Sequence, residues 1–262
     1  MPIENIIEKF AIIVPSCDRY SDLWEPFFYL FWKNWDDCPF KLYLLTNNLN
    51  YFHPKVNLLK LGKDVSWSKN LKKGLSQIKE DYILMLIEDL FIVEKVNSIN
   101  ILSLVKNIYK NNYNYLRLNP YPKPDISVNQ SIGSIKKGSA YRTSTPFSFW
   151  KKEILMDLLI DHESAWDFEI KGSERSDKYD DFFSVYNRYF EFIHGVRKGR
   201  WDRNSVKKMK ALGISLDLNS RGIMTKLEYA KNKVVNLIHS TVVGLFPEKL
   251  KITILKRVYK KK

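Results

Sequence analysis

Phe10–Pro15 (FAIIVP) is an unbroken apolar run that stops at Ser16-Cys17-Asp18-Arg19, the pattern of a strand buried on both faces that runs into a loop. From Asp22 to Trp35 the apolar positions change to helical spacing, with Ser21 or Asp22 placed to cap the first turn. Lys41–Thr46 and Val56–Leu61 read as strands, and Ser66-Trp67-Ser68 can cap a helix over Lys69–Ile78, where Leu71, Leu75 and Ile78 recur at spacings of four and three. Tyr82–Ile87 (YILMLI) is the most hydrophobic strand and ends on two acids, Glu88 and Asp89. A helix around Ile99–Lys110 and a strand at Tyr115–Leu118 follow, and the Pro-, Gly-, Ser- and Asn-rich stretch Asn119–Gly138 predicts an irregular, exposed loop. Phe147–Ile160 predicts a strand end and a helix starting near Trp150, Glu163–Glu169 opens a helix, Phe182–Ile193 is strand-rich, and Gly195–Trp201 is a glycine-punctuated basic loop. Beyond Asn204 the pattern is helical to the end. The β-α-β-α-β order predicts an α/β fold with an open, mostly parallel sheet flanked by helices, whose ligands bind at the carboxyl ends of the strands.

Composition narrows the class. The 262 residues are 45% hydrophobic with only 10 Gly and 10 Pro, which supports a large core and excludes a disordered or collagen-like chain. The cysteines, Cys17 and Cys38, form no disulfide framework and no metal-ligand spacing, which predicts a reducing compartment, the cytoplasm. No stretch has the roughly 18 uncharged apolar residues of a transmembrane helix, and Phe10–Pro15 is too short for a signal peptide. Ten Lys/Arg against two acids between Thr225 and Lys262 supply +8 of the +14 net charge. A core of 1–203 followed by a basic helical segment of 204–262 is the expected organisation. Val234, Val235, Leu237, Ile238, Val242, Val243, Leu245 and Phe246 among lysines point that segment towards an anionic membrane surface, or towards packing on the core or on a second copy of the chain. Nucleic acid is disfavoured as a partner because the core carries only the remaining +6.

Three groups carry candidate chemistry. Asp89, with Glu88 contacting the same ligand or steadying the loop, can hold Mn²⁺ or Mg²⁺ against a diphosphate, since a hard cation needs only one or two protein carboxylates when phosphates and water complete its shell. A solvated strand end is the plainer alternative. Glu163, Asp167 and Glu169 surround Trp166; on an α-helix Asp167 and Glu169 lie about 200° apart, so one of them faces a site, where a partly desolvated carboxylate suits a general base. His194, Lys198 and Arg200 border Gly195 and Gly199, with His194 able to complete a metal site and the cations able to screen a leaving diphosphate.

Taken together, Ser16-Cys17-Asp18-Arg19-Tyr20-Ser21-Asp22-Leu23-Trp24-Glu25-Pro26, Trp67-Ser68, Leu86-Ile87-Glu88-Asp89 and Ala165-Trp166-Asp167-Phe168-Glu169 resemble a GT-A type nucleotide-sugar glycosyltransferase, similar to bacterial enzymes of capsule and lipopolysaccharide synthesis. The resemblance covers roughly residues 8–203. It implies transfer of a hexose or N-acetylhexosamine from a nucleoside diphosphate, most often UDP, to a glycan hydroxyl, with inversion as the simpler outcome. Asp18 and Arg19 would contact the nucleotide, Asp89 would stand for the DxD metal motif, and Glu169, then Asp167, would be the acceptor base. Glu88-Asp89 is not a full DxD, so a metal-independent variant would rely on Lys198 and Arg200. Phe149, Trp150 and Trp166 are the aromatic candidates for the acceptor sugar, whose carrier can be a lipid at the inner face of the plasma membrane; core packing is the alternative for Phe149 and Trp150 and the expectation for Phe147. A non-catalytic scaffold of a polysaccharide assembly complex is the alternative.

Overall fold

The computed structural model describes residues 2–232, 234 and 235. α1 (Ile3–Ile7) precedes β1 (Phe10–Pro15), and a 3₁₀ turn over Asp18–Leu23 leads into α2 (Trp24–Asn34). β2 (Lys41–Thr46), β3 (Asn57–Lys60), α3 (Trp67–Leu75), β4 (Tyr82–Met85) and β5 (Leu90–Ile92) follow. Then come α4 (Ser98–Asn111), β6 (Tyr115–Arg117), β7 (Ile126–Ser127), β8 (Ile132–Ser134), β9 (Ser148–Lys151) and α5 (Lys152–Leu158). A helical stretch joins α6 (Ala165–Asp167), a π-helical turn (Phe168–Gly172), α7 (Ser173–Arg175) and a 3₁₀ turn (Ser176–Lys178). β10 (Phe182–Val185), β11 (Phe192–His194), β12 (Val196–Arg197), β13 (Arg200–Trp201) and α8 (Arg203–Ala211) complete the named elements.

The main sheet has nine strands in the order β3-β2-β1-β4-β9-β6-β10-β8-β7. All run in one direction except β9 and β8. This is the expected α/β architecture. The period-two alternation of each strand divides its side chains between two cores. Phe10, Ile12, Val14, Tyr82, Leu84 and Phe149 pack on the α2 and α4 side. Ala11, Ile13, Ile83, Met85 and Trp150 pack beneath α3 and α5. Because both faces are covered, β1 and β4 read as continuous apolar runs. The same alternation corrects an expectation: Phe149 and Trp150 lie in opposite cores, 1% and 0% exposed, and Phe147 is buried as well, so none of them offers a face to an acceptor sugar.

Other boundaries differ for identifiable reasons. α2 begins at Trp24 without a side-chain cap, because Asp22 is held by Arg221 from the far end of the chain. Ser66 does cap its helix, accepting a hydrogen bond from Lys69 N at 3.2 Å. β4 ends at Met85, so Leu86 and Ile87 form the lead into the acids. The stretch predicted to be an irregular loop contains the β7–β8 hairpin, which extends the sheet edge.

The boundary expected at residue 203 is also corrected. Met209 is wholly buried in the same core as Trp201, and Ile214, Leu216 and Ile223 pack against it. After Gly213, at φ 73°, residues 214–225 are not helical, and helix resumes at 226. The core therefore reaches at least Met224, which is 2% exposed. The aliphatic run from Leu237 to Phe246 lies outside the described residues.

Candidate active site

A cleft of about 430 Å³ opens at the carboxyl ends of β1, β2 and β4, where an open α/β sheet places its ligand. Its walls include Ser16 and Cys17 after β1, Asp64, Trp67 and Asn70 at the start of α3, Glu88 and Asp89 after β4, and Thr145, Trp166, Glu169 and His194. Carboxylates from two distant segments, Glu88-Asp89 and Glu169, thus border one cavity.

Glu88 ends a relay from the β1 loop. The Trp24 indole donates to Ser16 Oγ at 2.8 Å, and Ser16 Oγ donates to Glu88 Oε1 at 2.9 Å. Burial, then the neighbouring Asp89 charge, pushes the Glu88 carboxyl up to about 8. Burial also pushes Asp89 up to about 6, opposed by the positive charges of Arg197 and Arg221. Both folded values lie above those of an unfolded carboxyl, so folding favours the protonated forms. The stabilisation is complete below about pH 4 and is lost as pH rises through about 6 and then about 8. The melting temperature of the ligand-free protein is accordingly expected to fall by about 5–10 °C between those limits, with Glu88→Gln flattening most of the fall. A pH series of thermal melts checks this, and a wild-type curve no steeper than that of Glu88→Gln would contradict it.

Glu169 is presented by the π-helical turn. Thr143 Oγ1 donates to the Phe168 carbonyl at 3.1 Å, and Ser173 Oγ donates to the Glu169 carbonyl at 2.6 Å, so side chains enter the local backbone ladder. The Glu169 side chain accepts from Thr145 N (2.7 Å), Thr145 Oγ1 (2.9 Å) and Ser144 Oγ (3.3 Å), all at Oε1. Burial pushes this carboxyl above the ordinary range, and the Thr145 bonds oppose the rise. Asp167 is placed elsewhere. It closes a capping box with Ser164, pairs with Lys171 at 2.8 Å, and is held below the usual carboxylate range by those partners. It does not border the cleft, which removes it as second candidate for the base. Trp166 is half-exposed on the cleft wall.

His194 borders the cleft on β11, paired opposite Leu90. Burial and the nearby Arg197 hold its imidazole down to about 4, so the ring is neutral. Asp18 does not line the cleft. Its carboxylate accepts from the backbone N–H groups of Asn47, Asn48 and Leu49 at 3.0–3.3 Å, tying the β1 loop to the end of β2. Arg19 is exposed outside the cleft wall. Lys198 and Arg200 are corrected too. Lys198 and Gly199, both at positive φ, form the turn of the β12–β13 hairpin, a two-residue connection that matches strand twist. Both cations are exposed, and Arg200 lies 3.5 Å from Glu228. The cations that act on Glu88 and Asp89 are Arg197 and Arg221. Arg197 lies in the same basic segment, but no local pattern distinguishes it from Lys198.

Among the described residues, no group of three or more His, Cys, Asp or Glu side chains converges as a metal cage. Glu88, Asp89 and His194 border the same cleft without converging as such a group; a hard cation needs only one or two protein carboxylates when phosphate and water complete its shell.

No protein-family model matches the chain, and no curated protein matches it. Solved structures do. S. aureus TarS 1-349 in complex with UDP-GlcNAc superposes at a TM-score of 0.51 and 14% identity, covering 94% of this chain and 70% of that one. The fold is of the GT-A type. The longer S. aureus TarS structure aligns at a TM-score of 0.45 and 12% identity over 92% of this chain, which spans 41% of that protein. A putative glucose-1-phosphate thymidylyltransferase from Bacillus anthracis aligns at 0.48 and 10% identity, covering 79% of this chain and 96% of that one. At these identities the likeness is one of fold.

Proposed function

We propose that the protein transfers a hexose or N-acetylhexosamine from a nucleoside diphosphate sugar to a hydroxyl of a bacterial capsular or lipopolysaccharide glycan. The observation that carries this reading is the single cleft of a GT-A fold that gathers Glu88, Asp89, Trp166 and Glu169. UDP is the favoured nucleotide, since TarS of similar fold was solved with UDP-GlcNAc.

Asp89, with His194, would hold Mn²⁺ or Mg²⁺, which when bound supplies charge to offset the departing diphosphate. Arg197 and Arg221 add fixed positive potential at the same end of the cleft. Glu169 acts as the base. Its Oε1 is fixed by Thr145 and Ser144 while Oε2 takes no part in those bonds, and its raised affinity for protons favours accepting one from a sugar hydroxyl. In an inverting displacement the acceptor oxygen bonds to the anomeric carbon, the bond to the diphosphate oxygen breaks with its electron pair, and the hydroxyl proton passes to Glu169. Trp166 offers a ring face to the sugar.

No helix among the described residues is long and apolar enough to cross a membrane. Leu227, Val234 and Val235 are exposed at the start of the basic segment, in keeping with a peripheral protein at the inner face of the plasma membrane. Thermal shift with UDP-, GDP- and other nucleotide sugars, with and without Mn²⁺, tests the proposal. A UDP sugar near a hundredfold excess over its dissociation constant is expected to add about 2.7 kcal/mol to stability, with Asp89→Ala abolishing the Mn²⁺-dependent part. The absence of a shift with every nucleotide sugar would overturn the reading.

A further inference from the structure

Phe52 is the most exposed large apolar side chain among the described residues, at 93%, and the chain on either side of it is fixed. It lies in the connection from β2 to β3, which has to return along the molecule because the two strands are parallel. The return path runs against α2. The Tyr51 ring stacks on Phe28 with centroids 5.0 Å apart, the His53 ring lies parallel to the Trp32 indole at 5.4 Å, and Lys55 Nζ sits 4.9 Å from the same indole. The Asp18 carboxylate fastens the start of the connection through the backbone N–H groups of Asn47, Asn48 and Leu49. With Tyr51 and His53 both turned to the helix, Phe52 between them is turned to solvent. Leu49, earlier in the connection, is about half exposed.

The charge along this segment has one sign. From Asn47 to Lys63 the chain carries three lysines and no acid. Lys55, Lys60 and Lys63 are exposed and form no ion pair among the described residues. Lys60 pairs in register with Thr46, and Gly62 N donates to the Asn47 carbonyl at 2.9 Å, so Lys60 and Lys63 flank the root of the connection while Lys55 follows its apex. The acids adjoining it are engaged: Asp18 as above, Glu25 by the Tyr51 hydroxyl at 3.4 Å and Asp64 by Asn70 Nδ2 at 2.7 Å. An outward ring among such lysines suits the boundary of an anionic bilayer, where the ring enters the headgroup zone and the ammonium groups stay in water beside the phosphates. A protein partner suits it less. One buried aromatic side chain contributes about 150–250 Å², whereas a stable protein interface takes about 800 Å² from each side.

We infer that the β2–β3 connection is a membrane-docking loop, which places Phe52 in an anionic lipid surface with Lys55, Lys60 and Lys63 against its headgroups. The loop gives the peripheral placement proposed above, on which this assignment rests, a lipid contact on the GT-A fold itself, separate from the basic C-terminal segment.

The test sediments the full chain with vesicles of phosphatidylcholine alone and of phosphatidylcholine with one third phosphatidylglycerol, beside Phe52→Ser and a Lys55→Gln/Lys63→Gln double variant. Wild type is expected to bind the anionic vesicles preferentially, and each variant to bind them about tenfold more weakly. Because the substituted side chains are exposed, both variants should melt within about 2 °C of wild type. Anionic-vesicle binding that either variant retains in full would overturn the docking loop and leave the peripheral placement to the C-terminal segment. Equal binding to both kinds of vesicle would overturn the charge-selected lipid contact. Absence of vesicle binding by the wild type would refute the loop and the peripheral placement together. A melting temperature well below wild type in Phe52→Ser would show that the chain covers the ring itself, and a dimer in sedimentation velocity that Phe52→Ser abolishes would assign the ring to a second copy; either result overturns the lipid assignment. Thermal shift with nucleotide sugars on the same samples reads the transfer proposal separately.

Discussion

Glu169→Gln is expected to lower sugar transfer by about two to four orders of magnitude while leaving nucleotide binding and folding close to wild type. The substitution keeps the side chain's shape and an oxygen that can accept the Thr145 bonds, but it removes the only function that a base contributes, the capacity to take a proton. Glu169 is 9% exposed and forms no salt bridge among the described residues, so neutralising it relieves a desolvated charge, and stability should be unchanged or slightly improved. Asp167→Asn is the internal control: that residue closes a capping box and pairs with Lys171 away from the cleft, and its loss should cost about 1 kcal/mol of stability with little effect on turnover. Single-turnover transfer measured on both variants against wild type decides the assignment. Near-normal transfer by Glu169→Gln would remove the residue from the chemistry.

Arg221→Ala should destabilise the fold by about 3–5 kcal/mol, lowering the melting temperature by roughly 10 °C. The Arg221 and Asp22 side chains are 8% and 9% exposed, with Nε 2.7 Å from Asp22 Oδ2. Arg221 also donates to the Arg19 carbonyl at 3.0 Å and lies 4.7 Å above the Tyr20 ring. Truncating it leaves the Asp22 carboxylate buried without its partner, which costs more than the pair is worth. Arg221→Ala with Asp22→Asn should therefore recover part of the loss, and a double-mutant cycle by denaturant unfolding measures the coupling. The pair joins the β1 loop to a segment 199 residues later, so its loss should also loosen the rim beside Glu88. A single-variant loss below about 1 kcal/mol would show the pair to be dispensable.

These expectations draw on different depths of the chain's organisation. The runs FAIIVP, KLYLLT and YILMLI, with the helical spacings between them, were enough to predict an α/β sheet covered on both faces, because strand and helix periodicity is written in neighbouring residues. They also placed Glu88 and Asp89 at the carboxyl end of a buried strand, and the 200° separation on a helix was enough to say that Asp167 and Glu169 could not both face one site. Which of the two does so was decided by a π-helical turn whose carbonyls are met by Thr143 and Ser173, residues whose relevance no local pattern reveals. Phe149 and Trp150 looked like ligand-facing aromatics until β9 was inserted between β4 and β6, where both faces are core.

Charge behaved in the same way. Lys198 and Arg200 stood out by composition, yet a tight hairpin turns them to solvent, and the potential at the acids comes from Arg197 and from Arg221 across the molecule. The sequence by itself determined the layers of this protein and the order in which its acids reach the sheet edge, since burial periodicity is a local property. Only the tertiary structure decided which carboxylate enters the cleft, which cations offset it and which aromatics face solvent, because hydrogen bonds, ion pairs and burial join residues that the chain keeps far apart.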